Sequence, residues 1–186
     1  MFGELRTDRL LLRRWQERDA QAFAAINADP AVMQFFPAVL SREASDTLIK
    51  RFESHFETHG FGVWAAELTA QNNGELIGCI GLNTVQFEAA FTPTVEILWR
   101  MAKPVQGQGL ATEGARAVLR FAFEELALPE VVSFTVVENQ ASRRVMEKIG
   151  LQHEPALDFH HPALPPGHQL SAHVFYRLKN PRVEQS

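Results

Sequence analysis

The stretch Val105-Gln106-Gly107-Gln108-Gly109-Leu110-Ala111-Thr112 lies between a strand-like run, Val95 to Met101, and a helix-like run, Gly109 to Leu126. A glycine-containing turn at a helix N-terminus leaves several backbone N–H groups free at the positive end of the helix dipole. Such a turn is a site for a phosphate or pyrophosphate. Glycine lets the backbone approach the anion with no Cβ in the way. A Walker-type loop would need Lys and Ser/Thr after its second glycine, and no Lys follows Gly109, which argues against nucleoside triphosphate hydrolysis. A dinucleotide fingerprint needs a third glycine where Thr112 stands, in an opening strand–turn–helix unit.

Around this turn the chain reads as one domain, 1–186, with a polar tail at 180–186 expected to fray. Apolar residues make up 46% of it and there are 14 Phe, enough for a sizeable core. The net charge is −4 and no Lys/Arg block exists, so nucleic acid is not the favoured partner. A polyanionic ligand must then be held by local groups and not by the overall field. The lone Cys79 excludes an internal disulfide and suits a reducing cytoplasm. No apolar run reaches the ~20 residues that span a bilayer, and no signal-peptide core is read.

Periodicity supplies the rest of the framework. Leu10 to Trp15 reads as a strand, Asp19 to Ile26 as a helix, and Ser41 to His59 as a second helix, with Ser41 as N-cap and Gly60 as stop. Gly62 to Leu68 and Leu76 to Leu82 read as strands joined by an Asn72-Asn73-Gly74 hairpin turn. Ala111, Ala115, Val118, Leu119, Ala122 and Leu126 share one helix face. Val131 to Val137 is a strand and Gln140 to Lys148 a short helix. Leu151 to Phe159 and His173 to Leu178 complete the strands, on either side of a Pro-rich loop. This order implies an α/β sandwich around a mixed sheet.

Gln106-x-x-Gly109-x-Ala111 is similar to the Arg/Gln-x-x-Gly-x-Gly/Ala turn of the GNAT acetyltransferases. Its flanks extend the match: Thr94 to Pro104 before the turn, Ala111 to Ala117 after it, and Val136 to Leu151 further on. The opening Leu5-Arg6-Thr7-Asp8-Arg9-Leu10-Leu11-Leu12-Arg13-Arg14-Trp15 resembles the branch that modifies ribosomal-protein N-termini, the RimJ/RimL type. The resemblance covers about Leu5 to Leu178. It implies a GNAT-like α/β fold: a mixed, mostly antiparallel central sheet of about six to seven strands, flanked by helices on both faces. It implies acetyl-CoA as acyl donor and a primary amine as acceptor, first a protein N-terminal α-amine. A small amine (polyamine, amino acid or aminoglycoside) is the alternative, and a non-catalytic acyl-CoA sensor is a third reading. A homodimer is left open.

By the resemblance, Gln106, Gly107, Gln108, Gly109, Leu110, Ala111 and Thr112 would hold the diphosphate. Trp99, Arg100 and Met101 would offer backbone groups to the pantetheine arm, and Asn139 would contact the same arm. Glu96, a carboxylate in an otherwise apolar strand, is the candidate general base; the alternative is an ion pair with Arg100 on the same strand face. Asn139 reads as a helix N-cap with Ser142 three residues on. Many relatives carry a Tyr acid where this chain has Met146, which cannot donate a proton, so Ser142 is the candidate for the leaving thiol. Arg143 and Arg144 read as solvated, with Arg143 paired to Glu147. His153, His160, His161, His168 and His173 lack zinc spacing, so no metal is expected; His160, His161 or His168 could line an acceptor pocket. Cys79 lacks a partner pattern for covalent catalysis, which leaves direct transfer.

Overall fold

A computed structural model describes residues 3–69 and 74–183. In chain order the first elements are β1 (Glu4–Arg6), β2 (Leu10–Arg13), α1 (Asp19–Ala28), α2 (Arg42–His59), β3 (Val63–Leu68), β4 (Leu76–Thr84) and β5 (Val95–Met101). They are followed by α3 (Leu110–Glu124), β6 (Glu130–Val136), α4 (Gln140–Lys148), β7 (Gln152–His153), β8 (Phe159–His160) and β9 (Ala172–Lys179). The strand order is β1-β2-β3-β4-β5-β6-β9-β7, with β8 on β9. The chain divides into two compact units, Met1–Asn83 with Leu98–Val118, and Thr84–Ile97 with Leu119–Ser186. The division runs through β5 and α3.

In the first unit β1 to β4 form an antiparallel ladder. In β4 seven consecutive residues, from Leu76 to Leu82, are buried, so no alternation shows. Gly78 is there because the strands run close; a Cβ would stand 2.1 Å from the Arg100 carbonyl oxygen. Helix α2 begins as its sequence dictates. Ser41 Oγ accepts the Ala44 N–H, and Gly60 ends the helix in the left-handed region at φ 76°. The core gathers Trp15, Phe23, Ile26, Met33, Phe52, Val63, Leu76 and Cys79. Each large apolar side chain so buried contributes about 1.5–3 kcal/mol. Arg13 crosses this unit as a buried cation, held by both oxygens of Asp19 at 2.7 and 2.8 Å and by Glu67 at 2.7 Å.

In the second unit the start of β5 pairs parallel with β6 at Glu96↔Val132. Strand β9 runs antiparallel beside β6, from Glu130↔Lys179 to Val136↔His173. Val85, Phe91, Val132 and Phe175 make its core, with Phe87, Phe134 and Phe159 packed against them.

The mixed, mostly antiparallel α/β architecture agrees with expectation, and among the described residues four α-helices accompany the sheet. The strand count is higher than six to seven because β1, β7 and β8 are three residues or fewer, too short to display a period. Leu151 to Phe159 is not one strand: Pro155 opens a 3-10 turn at Pro155–Leu157 that separates β7 from β8. Of the polar tail at 180–186, residues 184–186 lie outside the described residues. Asn180 is buried, and its amide donates to the Leu128 carbonyl at 2.9 Å. Asn72 and Asn73 of the expected hairpin turn lie outside the described residues.

Candidate functional site

Strand β5 leads into a 3-10 turn at Lys103–Val105 and then into the glycine turn. Gly107 and Gly109 both take φ +80°, a conformation that costs other L-residues ~1–2 kcal/mol. The first α-helical hydrogen bond runs from Glu113 N to Gly109 O, which makes Gly109, with no side chain, the N-cap of α3. The amides of residues 107 to 112 therefore have no acceptor among the described residues. Gln106, Gly107, Gln108 and Gly109 are solvent-exposed, whereas Leu110 and Thr112 are buried. No hydrogen bond engages the Thr112 hydroxyl among the described residues. The result is an arc of unpaired N–H groups, solvent-exposed over residues 107–109, at the positive end of a 15-residue helix.

Side chains hold this arc from below. Gln106 Nε2 donates to Met101 O at 3.0 Å and Gln108 Nε2 to Pro104 O at 3.0 Å. Both glutamine side chains are thus turned back onto the turn, and the Met101 carbonyl is engaged. Arg9 Nη1 donates to Gln108 O at 3.0 Å, and Arg9 Nε to Glu113 Oε2 at 2.6 Å. The Glu113 carboxylate also accepts from Thr7 Oγ1 at 2.6 Å and the Arg9 N–H at 2.9 Å. Burial raises its pKa, but these hydrogen bonds outweigh that and hold it below the ordinary carboxylate range. This clasp of Thr7, Arg9 and Glu113 was not foreseen. Its residues stand in the quoted opening and helix-start stretches, but a partnership 104 residues apart leaves no local signal.

Farther up β5, Trp99 and Arg100 are half-buried and Met101 is buried. Arg100 is engaged with Asn27 through Nη1 and lies under the ring of Phe36, 4.4 Å from its centroid. Glu96 lies in the second unit. It keeps some solvent exposure as a residue, yet its carboxyl is desolvated and pushed up to about 8 by burial. The expected ion pair does not form; no hydrogen bond or ion pair engages this carboxyl among the described residues.

The second unit also holds Asn139 and Ser142. Asn139 caps α4: its Oδ1 accepts the Ser142 N–H at 3.1 Å and its Nδ2 donates to Thr135 Oγ1 at 3.0 Å. Ser142 is half-buried, and its hydroxyl has no partner among the described residues. Met146 is 1% exposed. Arg143 does not pair directly with Glu147. Arg143 Nε donates to the Tyr176 phenol oxygen at 3.2 Å, and that phenol donates to Glu147 at 3.2 Å. His160 meets Ser171 Oγ at 3.0 Å, and His161 packs on Phe87 with ring centroids 4.9 Å apart. Burial lowers the pKa of His161 and His173, so both are neutral at neutral pH.

Residues 9–152 match the family model described as Acetyltransferase (GNAT) domain. The chain is 28% identical over 173 residues to the "Uncharacterized N-acetyltransferase YnaD" of Bacillus subtilis, covering 92% of this chain and 94% of that protein. It is 33% identical over 138 residues to the "FsC-acetyl coenzyme A-N(2)-transacetylase" of Aspergillus fumigatus, covering 68% of this chain and 57% of the relative. Among solved structures, an acetyltransferase from Agrobacterium tumefaciens superposes with a TM-score of 0.75 at 27% identity, covering 96% of this chain and 95% of that one.

Proposed function

Because the chain belongs to the GNAT acetyltransferase family and is an N-acetyltransferase, we propose that it transfers acetyl directly from acetyl-CoA to a protein N-terminal α-amine. The observation that carries the donor assignment is the arc of amides from 107 to 112 that have no acceptor among the described residues. It supplies neutral, preorganised donors to a diphosphate in a chain whose net charge is negative. Gly107, Gln108, Gly109, Leu110, Ala111 and Thr112 give backbone N–H groups, and Thr112 adds its free hydroxyl. Gln106 acts by holding the turn, since its amide is spent on Met101. Backbone groups of Trp99 and Arg100 are assigned to the pantetheine arm, together with the N–H of Met101, whose carbonyl is engaged. Asn139 contributes through whatever its cap leaves free, the second Nδ2 hydrogen.

The reaction asks for a neutral amine. An α-amine titrates at about 7.7–8.0, close to Glu96 at about 8. Proton transfer between them is therefore nearly balanced, as efficient general-base catalysis requires. The amine nitrogen attacks the thioester carbon and gives its proton to the Glu96 carboxylate. The C–S bond then breaks and the thiolate leaves. Met146 has no proton to give, and the unpartnered Ser142 hydroxyl is the group assigned to receive that thiolate.

The N-terminal α-amine as acceptor rests on the likeness of the opening stretch, Leu5 to Trp15, to the RimJ/RimL type. The test is thiol release from acetyl-CoA with a panel of N-terminal peptides, lysine-only peptides and small amines. Release driven by free peptide α-amines supports the reading. Release with small amines alone would transfer it to the small-amine class. Acetyl-CoA binding without release from any acceptor would favour a sensor.

A further inference from the structure

Arg100 presents an unusual balance of charge. Its guanidinium is desolvated, and burial lowers its pKa. No carboxylate pairs with it among the described residues. Among the described residues its one side-chain hydrogen bond goes from Nη1 to a neutral acceptor, Asn27 Oδ1. Asn27 is held in that orientation by a second buried group, since its Nδ2 donates to Ser45 Oγ at 2.8 Å, and both residues are 0% exposed. Phe36 covers one face of the guanidinium at 4.4 Å and is itself 39% exposed. Arg100 Nε is buried and has no hydrogen-bond partner among the described residues.

The same unit shows how its other enclosed arginines are treated. Arg13 is neutralised by Asp19 and Glu67, and Arg14 by Glu53 and Glu57. A desolvated cation without a counter-charge is costly, so an anionic group brought to Arg100 would relieve that cost. The donor is a poor candidate. Its diphosphate is assigned to the glycine turn, its ribose 3′-phosphate lies on the far side of that diphosphate from the pantetheine arm, and the arm and acetyl group are uncharged. The acceptor remains.

We propose that the Nε–Nη2 edge of Arg100, with Nη1 anchored by Asn27 and one face backed by Phe36, recognises a carboxylate on the acceptor amine. This inference rests on the acetyltransferase reading and narrows its acceptor to an amine that carries a carboxylate, and it excludes polycations. That guanidinium edge offers two parallel N–H donors, the arrangement that binds a carboxylate bidentately. One cation matches one monoanion. The carboxylate has two sources: the α-carboxylate of a free amino acid, or an acidic side chain next to a protein N-terminus.

The experiment compares two matched acceptor pairs by thiol release from acetyl-CoA. One pair is an amino acid and its carboxamide; the other is two N-terminal peptides that differ by Glu or Gln at the second position. The wild-type protein is expected to favour the carboxylate member of one pair by about tenfold or more in kcat/KM, and the pair that shows the preference identifies the source. In Arg100→Gln the preference falls below about twofold; Arg100→Lys, which keeps the charge and loses the fork, retains a part of it. Absence of a preference in both wild-type pairs overturns the inference, whether or not Arg100→Gln folds. A preference that survives in Arg100→Gln also overturns it. Failure of the underlying reading looks different: no thiol is released from any acceptor.

Discussion

Glu96 shows what one residue gains from the strand that holds it. Desolvation pushes its carboxyl up to about 8, so at pH 7 it is mostly protonated and at pH 9 mostly ionised. The turnover rate should rise with pH and level off above about 8. Glu96→Gln should lower kcat by about 10²–10⁴-fold while acetyl-CoA affinity, read by titration calorimetry, stays the same; an unchanged kcat would remove the base role. Stability supplies a separate reading. The native carboxyl holds its proton up to about 8, whereas the unfolded one releases it near 4.5. Between these values the native state binds more protons, so this group's contribution falls as pH rises. Glu96→Gln should therefore gain stability relative to wild type across that window, by up to ~1.4 kcal/mol per pH unit, in denaturant titrations at pH 5 and pH 8. A difference independent of pH would contradict the shift. Glu96 was legible as a charge in an apolar run. Its isolation was not, because whether Arg100 turns toward Glu96 or toward Asn27 depends on a helix 73 residues away in sequence.

At the scale of elements, the glycine turn and the helix caps carry the argument. A Cβ at Gly109 would stand in ordinary contact range, 3.6 Å from Arg9 Nη2, but φ +80° imposes ~1–2 kcal/mol on any other residue. Gly109→Ala should weaken acetyl-CoA binding by about tenfold in calorimetry, with the far-UV spectrum unchanged. Arg9→Ala tests the clasp. It removes the hydrogen bond to Gln108 O and the ion pair to Glu113, and should weaken the same binding by several-fold; equal affinity would make the clasp purely structural. Asn139→Ala removes the α4 cap and should cost ~1 kcal/mol in a denaturant titration. The helices were the clearest part of the sequence, because Ser41, Gly60 and Asn139 act through local hydrogen bonds. The turn was legible for the same reason. What escaped was set by distant partners or by shortness: the Thr7–Arg9–Glu113 clasp, the Tyr176 bridge between Arg143 and Glu147, and strands β1, β7 and β8.

On the scale of the whole molecule, the chain divides into two compact units, while the sequence reads as one domain. We propose that they unfold together, because β5 and α3 each contribute residues to both units and neither element can be completed by one unit alone. Unfolding followed by Trp fluorescence and by far-UV dichroism should give coincident transitions; two separated transitions would show independent domains. Acetyl-CoA should raise the midpoint of that transition in a concentration-dependent way.

The central claim is that the unpaired amides from Gly107 to Thr112 grip the diphosphate of acetyl-CoA. Amide-resolved NMR of the labelled protein during an acetyl-CoA titration tests it most directly. The account predicts that the resonances of Gly107, Gln108, Gly109, Leu110, Ala111 and Thr112 shift together and saturate with the ligand, and that coenzyme A reproduces the shifts while pantetheine, which lacks the diphosphate, does not. Saturable binding that leaves these six resonances in place would contradict it.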